Sequence, residues 1–177
     1  MRKMQPSMNP LDLLVLLKIL SKEGQSWKQA DLADELFISQ SEVSKSLARS
    51  RFARLISGDG KKVSRLALMG LLEYGVPFIF PQQLGPLVRG VPTAHSALPL
   101  SEVIQSSENY VWPSGKGKVK GQAVLPLYPT VPKAVEKDQN LYELLALVDA
   151  LRVGKAREKE IAIKELKTRI VNAKQVH

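Results

Sequence analysis

Apolar residues recur every three or four positions in the first part of the chain, which is the period of an amphipathic helix. Asn9 is a good N-cap and Pro10 suits the first helical position, so a helix is predicted to begin there and to end at Gly24. Its apolar face consists of Leu11, Leu14, Leu17 and Leu20, widened by Leu13 and Leu16.

Two shorter helices are predicted behind the first, separated by a break of about three residues. Ser26 is expected to cap the earlier one, which runs from Trp27 to about Leu36. The later one opens at Ser39-Gln40-Ser41-Glu42, a capping box in which the serine hydroxyl and the Glu42 carboxylate satisfy each other's free backbone donors. It runs to about Leu55, and its predicted apolar positions are Val43, Leu47, Ala48 and Phe52.

The middle of the chain loses this helical period after one more helix. Ser57–Gly60 is predicted to be a turn, and a fourth helix spans Ser64–Tyr74 before Gly75. Val76–Phe80 is predicted to be a short strand, at a sheet edge because it contains Pro77. Residues 81–100 are rich in proline and glycine, so an irregular surface excursion is expected there.

The second half is predicted to contain one β-hairpin followed by helices. Tyr110–Trp112 and Gln122–Leu127 are the expected strands, joined by a glycine- and lysine-rich turn, and residues 125–133 are expected to be extended. Apolar positions then return at helical spacing up to Ile170, with an interruption at Gly154.

Composition limits the classes of protein to consider. Hydrophobic residues make up 44% of the 177 and charged residues 24%, which is typical of a soluble globular protein. The formal net charge of +9 favours polyanionic partners. The absence of cysteine excludes disulfides and thiolate zinc sites, and no apolar stretch is long enough to span a bilayer. We therefore expect a cytoplasmic protein that has no membrane segment, metal or cofactor, with residues 1–8 disordered.

The second and third helices have the arrangement that is needed to enter the major groove of DNA. The earlier helix braces the later one, and the first residues of the later helix reach the base edges. Val43 and Leu47 point inward, so the opposite face of the later helix is turned outward. The residues predicted to contact bases are Gln40, Ser41, Ser44 and Lys45.

The segment from Leu32 to Leu47 resembles the core motif of bacterial helix-turn-helix regulators. With the leading helix and a basic hairpin downstream, it is similar to the winged-helix class that includes the MarR family. The resemblance implies a sequence-specific transcriptional regulator that binds double-stranded DNA. A repressor is the favoured form, because binding alone can occlude a promoter. One departure is Phe37, which stands where glycine is usual, so a turn of different shape is expected.

Local charge agrees with DNA binding. Seven basic residues against two acidic ones lie between Ser39 and Arg65. A glycine-lysine hairpin is more often a solvated loop than a DNA-binding wing, but here the wing is the interpretation that fits the motif. The predicted phosphate contacts are Ser39, Arg49, Arg51, Arg54, Lys61 and Lys62, with Lys116, Lys118 and Lys120 in the wing.

The expected fold class is mostly α with a small β-hairpin. Residues 9–133 would form a winged helix-turn-helix domain with an irregular insertion at 81–109, and residues 134–177 a C-terminal helical region. Regulators of this kind bind two half-sites, so a homodimer is expected. The first helix is a candidate to join the predicted interface, whose residues are Leu141, Leu144, Leu145, Val148 and Leu151. The alternative is that these helices pack within their own chain.

Two other kinds of protein are the alternatives to a DNA-binding regulator. An antitoxin-like or adaptor protein would bind a protein partner through the 81–100 loop. An enzyme is not expected, because His95 beside Ser96 does not make a catalytic pair and no acid–base cluster is present. Trp112, Tyr110 and Phe78 are expected in the core rather than stacked on bases.

Overall fold

The computed structural model describes residues 4–22 and 24–173, and within these ranges about half of the chain is helical. The first four helices are α1 (Pro10–Ser21), α2 (Gln29–Leu36), α3 (Gln40–Phe52) and α4 (Arg65–Tyr74). The later ones are α5 (Val76–Ile79), α6 (Val131–Ala134), α7 (Gln139–Val153) and α8 (Ala156–Ile170), and the strands are β1 (Leu87–Pro92), β2 (Tyr110–Pro113) and β3 (Val119–Ala123). Of the predicted disordered start, residues 4–8 are outside any helix or strand, and residues 1–3 lie outside the described ranges.

Helix α1 lies at the centre of the protein. Every residue from Leu11 to Ile19 is buried, because α2, α3 and α7 all pack on this helix. A helix that is apolar on most of its circumference is stable only when it is covered on most sides. The predicted start at Pro10 is confirmed, whereas the helix ends at Ser21, before the predicted Gly24.

The α2–α3 pair forms as predicted, with one change at its start. The residue that caps α2 is Lys28, not Ser26, and the backbone N–H of Lys28 donates to the Asp31 carboxylate at 2.8 Å. Leu32, Ala33 and Leu36 are buried against the neighbouring helices. The three-residue connection to α3 leaves the two helices packed against each other and against α1.

The strands form a small closed sheet rather than a hairpin. β2 and β3 pair in parallel, and β1 pairs antiparallel with both, so the predicted β-hairpin between residues 110 and 127 is wrong. Strand β1, which pairs with both, lies in the stretch predicted to be irregular. A Cβ on Gly90 of β1 would collide with the carbonyl oxygen of Trp112, so only glycine allows this approach.

Residues 76–79 are helical and Phe80 ends the helix, so no strand forms at 76–80. Pro77 stands at the second position of α5, where a missing N–H costs nothing, and the helix follows α4 after the single residue Gly75. The interpretation of Pro77 as an edge-strand proline is therefore wrong.

Helices α7 and α8 belong to the same hydrophobic core as α1 and the strands. The five predicted interface residues, Leu141, Leu144, Leu145, Val148 and Leu151, are each at most 5% exposed within a single chain. They have no surface left for a second copy, so the dimer interface predicted there is wrong and the intramolecular alternative holds. The boundary predicted at residue 133 likewise does not separate two cores.

A buried carboxylate joins the strands to α7. Asp149 accepts hydrogen bonds from the Thr93 hydroxyl at 2.7 Å, the Trp112 indole at 2.6 Å and Arg152 at 2.8 Å. Burial raises the pKa of Asp149 above its usual range, against the effect of Arg152 and the two other donors. No helix among the described residues is long and apolar enough to cross a bilayer.

Candidate nucleic-acid interface

Helix α3 presents a polar face to solvent along its first two turns. Gln40, Ser41, Ser44 and Lys45 are all exposed, as expected from the inward positions of Val43 and Leu47. Ser46 and Ser50 are fully buried on the inner side, where α1 packs. The surface at Gln40–Lys45 is therefore open and not folded onto the core.

The N-terminus of α3 is capped as predicted. The Ser39 N–H donates to Glu42 Oε2 at 2.8 Å, and the Glu42 N–H donates to the Ser39 hydroxyl at 3.1 Å. The hydroxyl also donates to the Glu42 carboxylate at 3.0 Å, so both donors of Ser39 are used within the cap. The predicted phosphate contact through Ser39 is therefore not supported.

Tyr128 reaches the same cap from the segment after β3. Its hydroxyl donates to Glu42 Oε1 at 2.7 Å. The Ser39 backbone N–H, followed by the Tyr128 hydroxyl, holds the pKa of Glu42 below its usual range, and the same hydrogen bond raises the pKa of Tyr128. Glu42 is thus held as a structural carboxylate at the start of α3.

The turn between α2 and α3 has the ordinary glycine-type shape despite Phe37. This residue adopts the left-handed conformation, with φ 56° and ψ 45°, and the Ile38 N–H donates to the Ala33 carbonyl at 3.0 Å. The differently shaped turn expected from the sequence is therefore wrong. The Phe37 ring carries the Lys133 ammonium 4.1 Å from its centroid, a contact that helps to offset the backbone strain.

The chain reverses directly after α3 into a short hairpin. Arg54 is left-handed, the Leu55 N–H donates to the Ser50 carbonyl at 2.9 Å, and Ile56 and Val63 form an antiparallel bridge. The predicted turn at Ser57–Gly60 closes this hairpin. We call residues 55–64 the 55–64 hairpin; it lies where the sequence placed only a turn.

Three predicted phosphate-binding cations meet beside this hairpin. Arg51, Arg54 and Lys62 line a shallow groove, and none of the three makes an ion pair with a described residue. Lys61 is exposed but lies 4.7 Å above the Trp27 ring. The groove therefore concentrates uncompensated positive charge at the C-terminal end of α3.

Arg49 is not available to a phosphate. Its Nε and NH2 donate to both oxygens of Asp12, at 2.7 to 3.1 Å, and the Asp12 side chain is fully buried. The prediction of a phosphate contact at Arg49 is wrong, because this guanidinium neutralises the buried Asp12 carboxylate, with which no other cation among the described residues pairs.

The lysines of the predicted wing lie on the small sheet. Lys116 and Lys118 precede β3 and Lys120 lies within it, opposite Arg89 of β1, and all four side chains are exposed. Because β2 and β3 are not a hairpin, these residues do not form the predicted wing. The hairpin that directly follows α3 in the chain is the 55–64 hairpin.

One residue of α3 was assigned to the wrong face by the sequence. Phe52 was predicted to be an apolar core position but is 64% exposed, whereas Ala48, which the sequence places on the outward face with Gln40, Ser41, Ser44 and Lys45, is exposed. The buried positions are 43, 46, 47 and 50, and position 52 lies about 200° around the helix from position 50. Because two of these four buried residues are serines, a hydrophobicity pattern does not reveal the buried face of α3.

The remaining polar clusters are structural. Buried His95 donates its Nε2–H to the Glu108 carbonyl at 2.8 Å and packs edge-on against Tyr110, with Glu158 3.8 Å away. In the described part of the chain no group of three or more metal-ligating side chains converges. Tyr110 and Trp112 lie in the core as predicted, whereas Phe78 is 78% exposed.

Comparison with known proteins leaves the structure to be interpreted on its own. No family model, no curated protein and no solved structure matches this chain.

Proposed function

We propose that this protein is a sequence-specific, double-stranded DNA-binding transcriptional regulator of the winged helix-turn-helix kind, similar to the MarR-like class, acting in the cytoplasm. In this proposal α3 enters the major groove and the 55–64 hairpin is the wing. Repression is the favoured mode, because occupancy of a promoter is sufficient for it.

The observation that carries the proposal is the open polar face of α3 next to free cations. Helix α3 has 13 residues and is therefore about 20 Å long. The major groove is about 12 Å wide and 8.5 Å deep, which is large enough to admit an α-helix. The first two turns offer Gln40, Ser41, Ser44 and Lys45, whose side chains bond readily to base edges.

The cations around α3 are suited to the DNA backbone. Arg51 lies in the last turn of α3, and Arg54 and Lys62 follow its C-terminal end. If these three neutralise phosphates, the slope of log affinity against log salt is expected to be about −3. Ala48 and Phe52, also outward, would contact thymine methyl groups or sugars rather than accept hydrogen bonds.

A selection of bound fragments from genomic DNA, followed by titration of the enriched duplex and of a scrambled duplex, tests the proposal. The wild-type protein should enrich one sequence, and Ser44→Ala together with Lys45→Ala should remove that enrichment. Lys164→Ala is the control, because Lys164 is an exposed α8 lysine paired with Glu160. Absence of any enriched sequence, or an unchanged preference in the double variant, would reject the proposal.

A further inference from the structure

Helix α4 is apolar on both sides, although only one side is covered. Leu68, Met69 and Leu72 are buried towards α7 and α8. The opposite side carries Leu66, Ala67, Gly70 and Tyr74, with no charged residue among them. We call these four residues, with Phe78 in α5, the α4 face. A helix that is apolar all round is normally buried all round.

We propose that the α4 face is the surface through which a second copy of this chain binds, forming a two-fold dimer. The association itself is independent of DNA; its use in binding two half-sites rests on the proposed function. This surface replaces the α7 interface that the sequence predicted, which is closed within one chain.

The size of the α4 face fits a dimer. Leu66 is 74% exposed, Tyr74 73% and Phe78 78%. Taking about 150–250 Å² for a complete large side chain, these three expose on the order of 450 Å². Two copies would remove roughly 900 Å² before Ala67 and the Gly70 backbone are counted, close to the lower limit for a specific interface.

The order of residues along α4 is self-complementary. Leu66, Gly70 and Tyr74 are spaced by four, so they form one stripe with Gly70 at its midpoint. Nothing lies within 4 Å of the position of a Cβ on Gly70, which leaves room for a backbone to approach. In an antiparallel pair crossing at Gly70, Leu66 would meet the partner's Tyr74, about 6 Å along the axis on either side of the crossing point.

The charges around the α4 face favour a second copy over a partner of opposite charge. Two chains of net charge +9 repel each other, so an uncharged contact surface favours their association over one that adds cations. The charged side chains beside this surface already have partners in their own chain: Glu73 pairs with Lys167 at 3.1 Å, and Arg65 donates to the Ile170 carbonyl at 2.9 Å. An acidic protein partner would instead require free cations here.

The dimer would hold two α3 helices in a fixed relation. Helix α4 begins directly after the 55–64 hairpin, and the Ser64 N–H donates to the Leu55 carbonyl at 2.8 Å, so little free chain lies between α3 and α4. Two half-sites with centres about 10 base pairs apart, or a multiple of that distance, would then be recognised.

Sedimentation equilibrium of the full chain, from about 1 to 100 µM, tests the interface. The key variant is Gly70→Lys, whose Cβ has no neighbouring atom within 4 Å and which exchanges glycine for a better helix former, so the fold is retained. It brings two ammonium groups into an apolar contact, and the dimer dissociation constant should rise at least about 100-fold. The control is Val103→Lys, which adds the same charge at a 55% exposed apolar side chain outside the α4 face.

The outcomes separate this inference from the proposed function. A wild-type dimer that Gly70→Lys dissociates and Val103→Lys leaves intact supports the interface, whether or not the protein binds DNA. A monomer at every concentration overturns it, as does a dimer that Gly70→Lys leaves unchanged or a complex in which a different protein covers α4. DNA selection with the same preparations then tests the function alone.

Discussion

Asp12 and Arg49 join the first and third helices through a two-pronged ion pair. Arg49 NH2 lies 2.7 Å from Asp12 Oδ1, and Arg49 Nε lies 2.9 Å from Asp12 Oδ2. The same carboxylate accepts the Asn9 N–H at 2.8 Å, which caps α1. The orientation of α3 on the core therefore depends on a buried charge that, within residues 4–22 and 24–173, Arg49 alone neutralises.

Arg49→Ala is expected to destabilise the protein by about 3 kcal/mol, because removing one partner leaves the other charge buried and unpaired. Arg51→Ala, two residues further on α3, should change the unfolding free energy by less than about 0.5 kcal/mol while weakening DNA binding. Urea unfolding and DNA titration of both variants check this. Equal stabilities would show that the Asp12 pair does not hold α3.

Phe37 offers a clean measure of backbone strain between α2 and α3. Phe37→Gly and Phe37→Ala both remove the ring and its contact with Lys133, and they differ only in the cost of the left-handed conformation. The glycine variant should be more stable by about 1 kcal/mol, since alanine retains the Cβ clash. Thermal unfolding of the pair measures the difference, and an alanine variant as stable as the glycine variant would contradict it.

The N-terminal helices could be predicted because local signals agreed with the packing. The Ser39–Glu42 capping box and the Asn9-Pro10 start depend on neighbouring residues, so they survive in the structure. Phe37 could not be predicted in the same way, because its left-handed conformation is supported by Lys133, which is 96 residues away in the chain. The parallel pairing of β2 with β3 also depends on a distant partner, β1.

Ser44 and Lys62 are expected to contribute differently to DNA binding. Ser44→Ala should change which sequence is preferred, because Ser44 lies on the face proposed to contact bases. Lys62→Ala should weaken binding to all sequences alike and make the salt slope shallower by about 1, because a phosphate contact carries no sequence information. Titrations of matched and scrambled duplexes at three salt concentrations distinguish the two effects. A loss of the same size on both duplexes from Ser44→Ala would place a different face of α3 in the groove.

Only part of the candidate site could be predicted, because the sequence shows local periodicity but not which distant residues come into contact. Gln40, Ser41, Ser44 and Lys45 are exposed because a simple helical period decides their side. Arg49 was misassigned because its partner, Asp12, lies in another helix, and a sequence pattern does not distinguish a paired cation from a free one. Phe52 was misassigned because serines occupy half of the buried face of α3.

The ion pairs of Lys18 are expected to make the free energy of unfolding depend on pH. Its ammonium pairs with Asp138 and Glu35, both at 2.6 Å. Burial alone would lower the pKa of Lys18, but the hydrogen bonds to the two carboxylates outweigh it and raise this pKa. Burial alone would raise the pKa values of Asp138 and Glu35. The hydrogen bonds from Lys18 outweigh this effect, so both pKa values are lowered.

The carboxylates therefore contribute stability that is present above their unfolded pKa values, about 4, and is lost as the pH falls through the lower folded values. Lys18 contributes stability that is present below about pH 10.5 and is lost as the pH rises through its higher folded value. Lys18→Met should cost about 2–4 kcal/mol at pH 7, and the difference from wild type should shrink in acid. Urea midpoints between pH 3 and 7 measure this, and a difference that stays constant would exclude the ion pairs as its source.

The central position of α1 has a consequence for dissecting the protein. Because α7 covers part of α1, a fragment cut after the 55–64 hairpin would open the middle of the core to water. The α2–α3 segment is therefore not a transplantable module: it takes its shape from the last third of the chain, and a truncation or chimera that omits that part should be judged as an unfolded protein before it is judged as an inactive one.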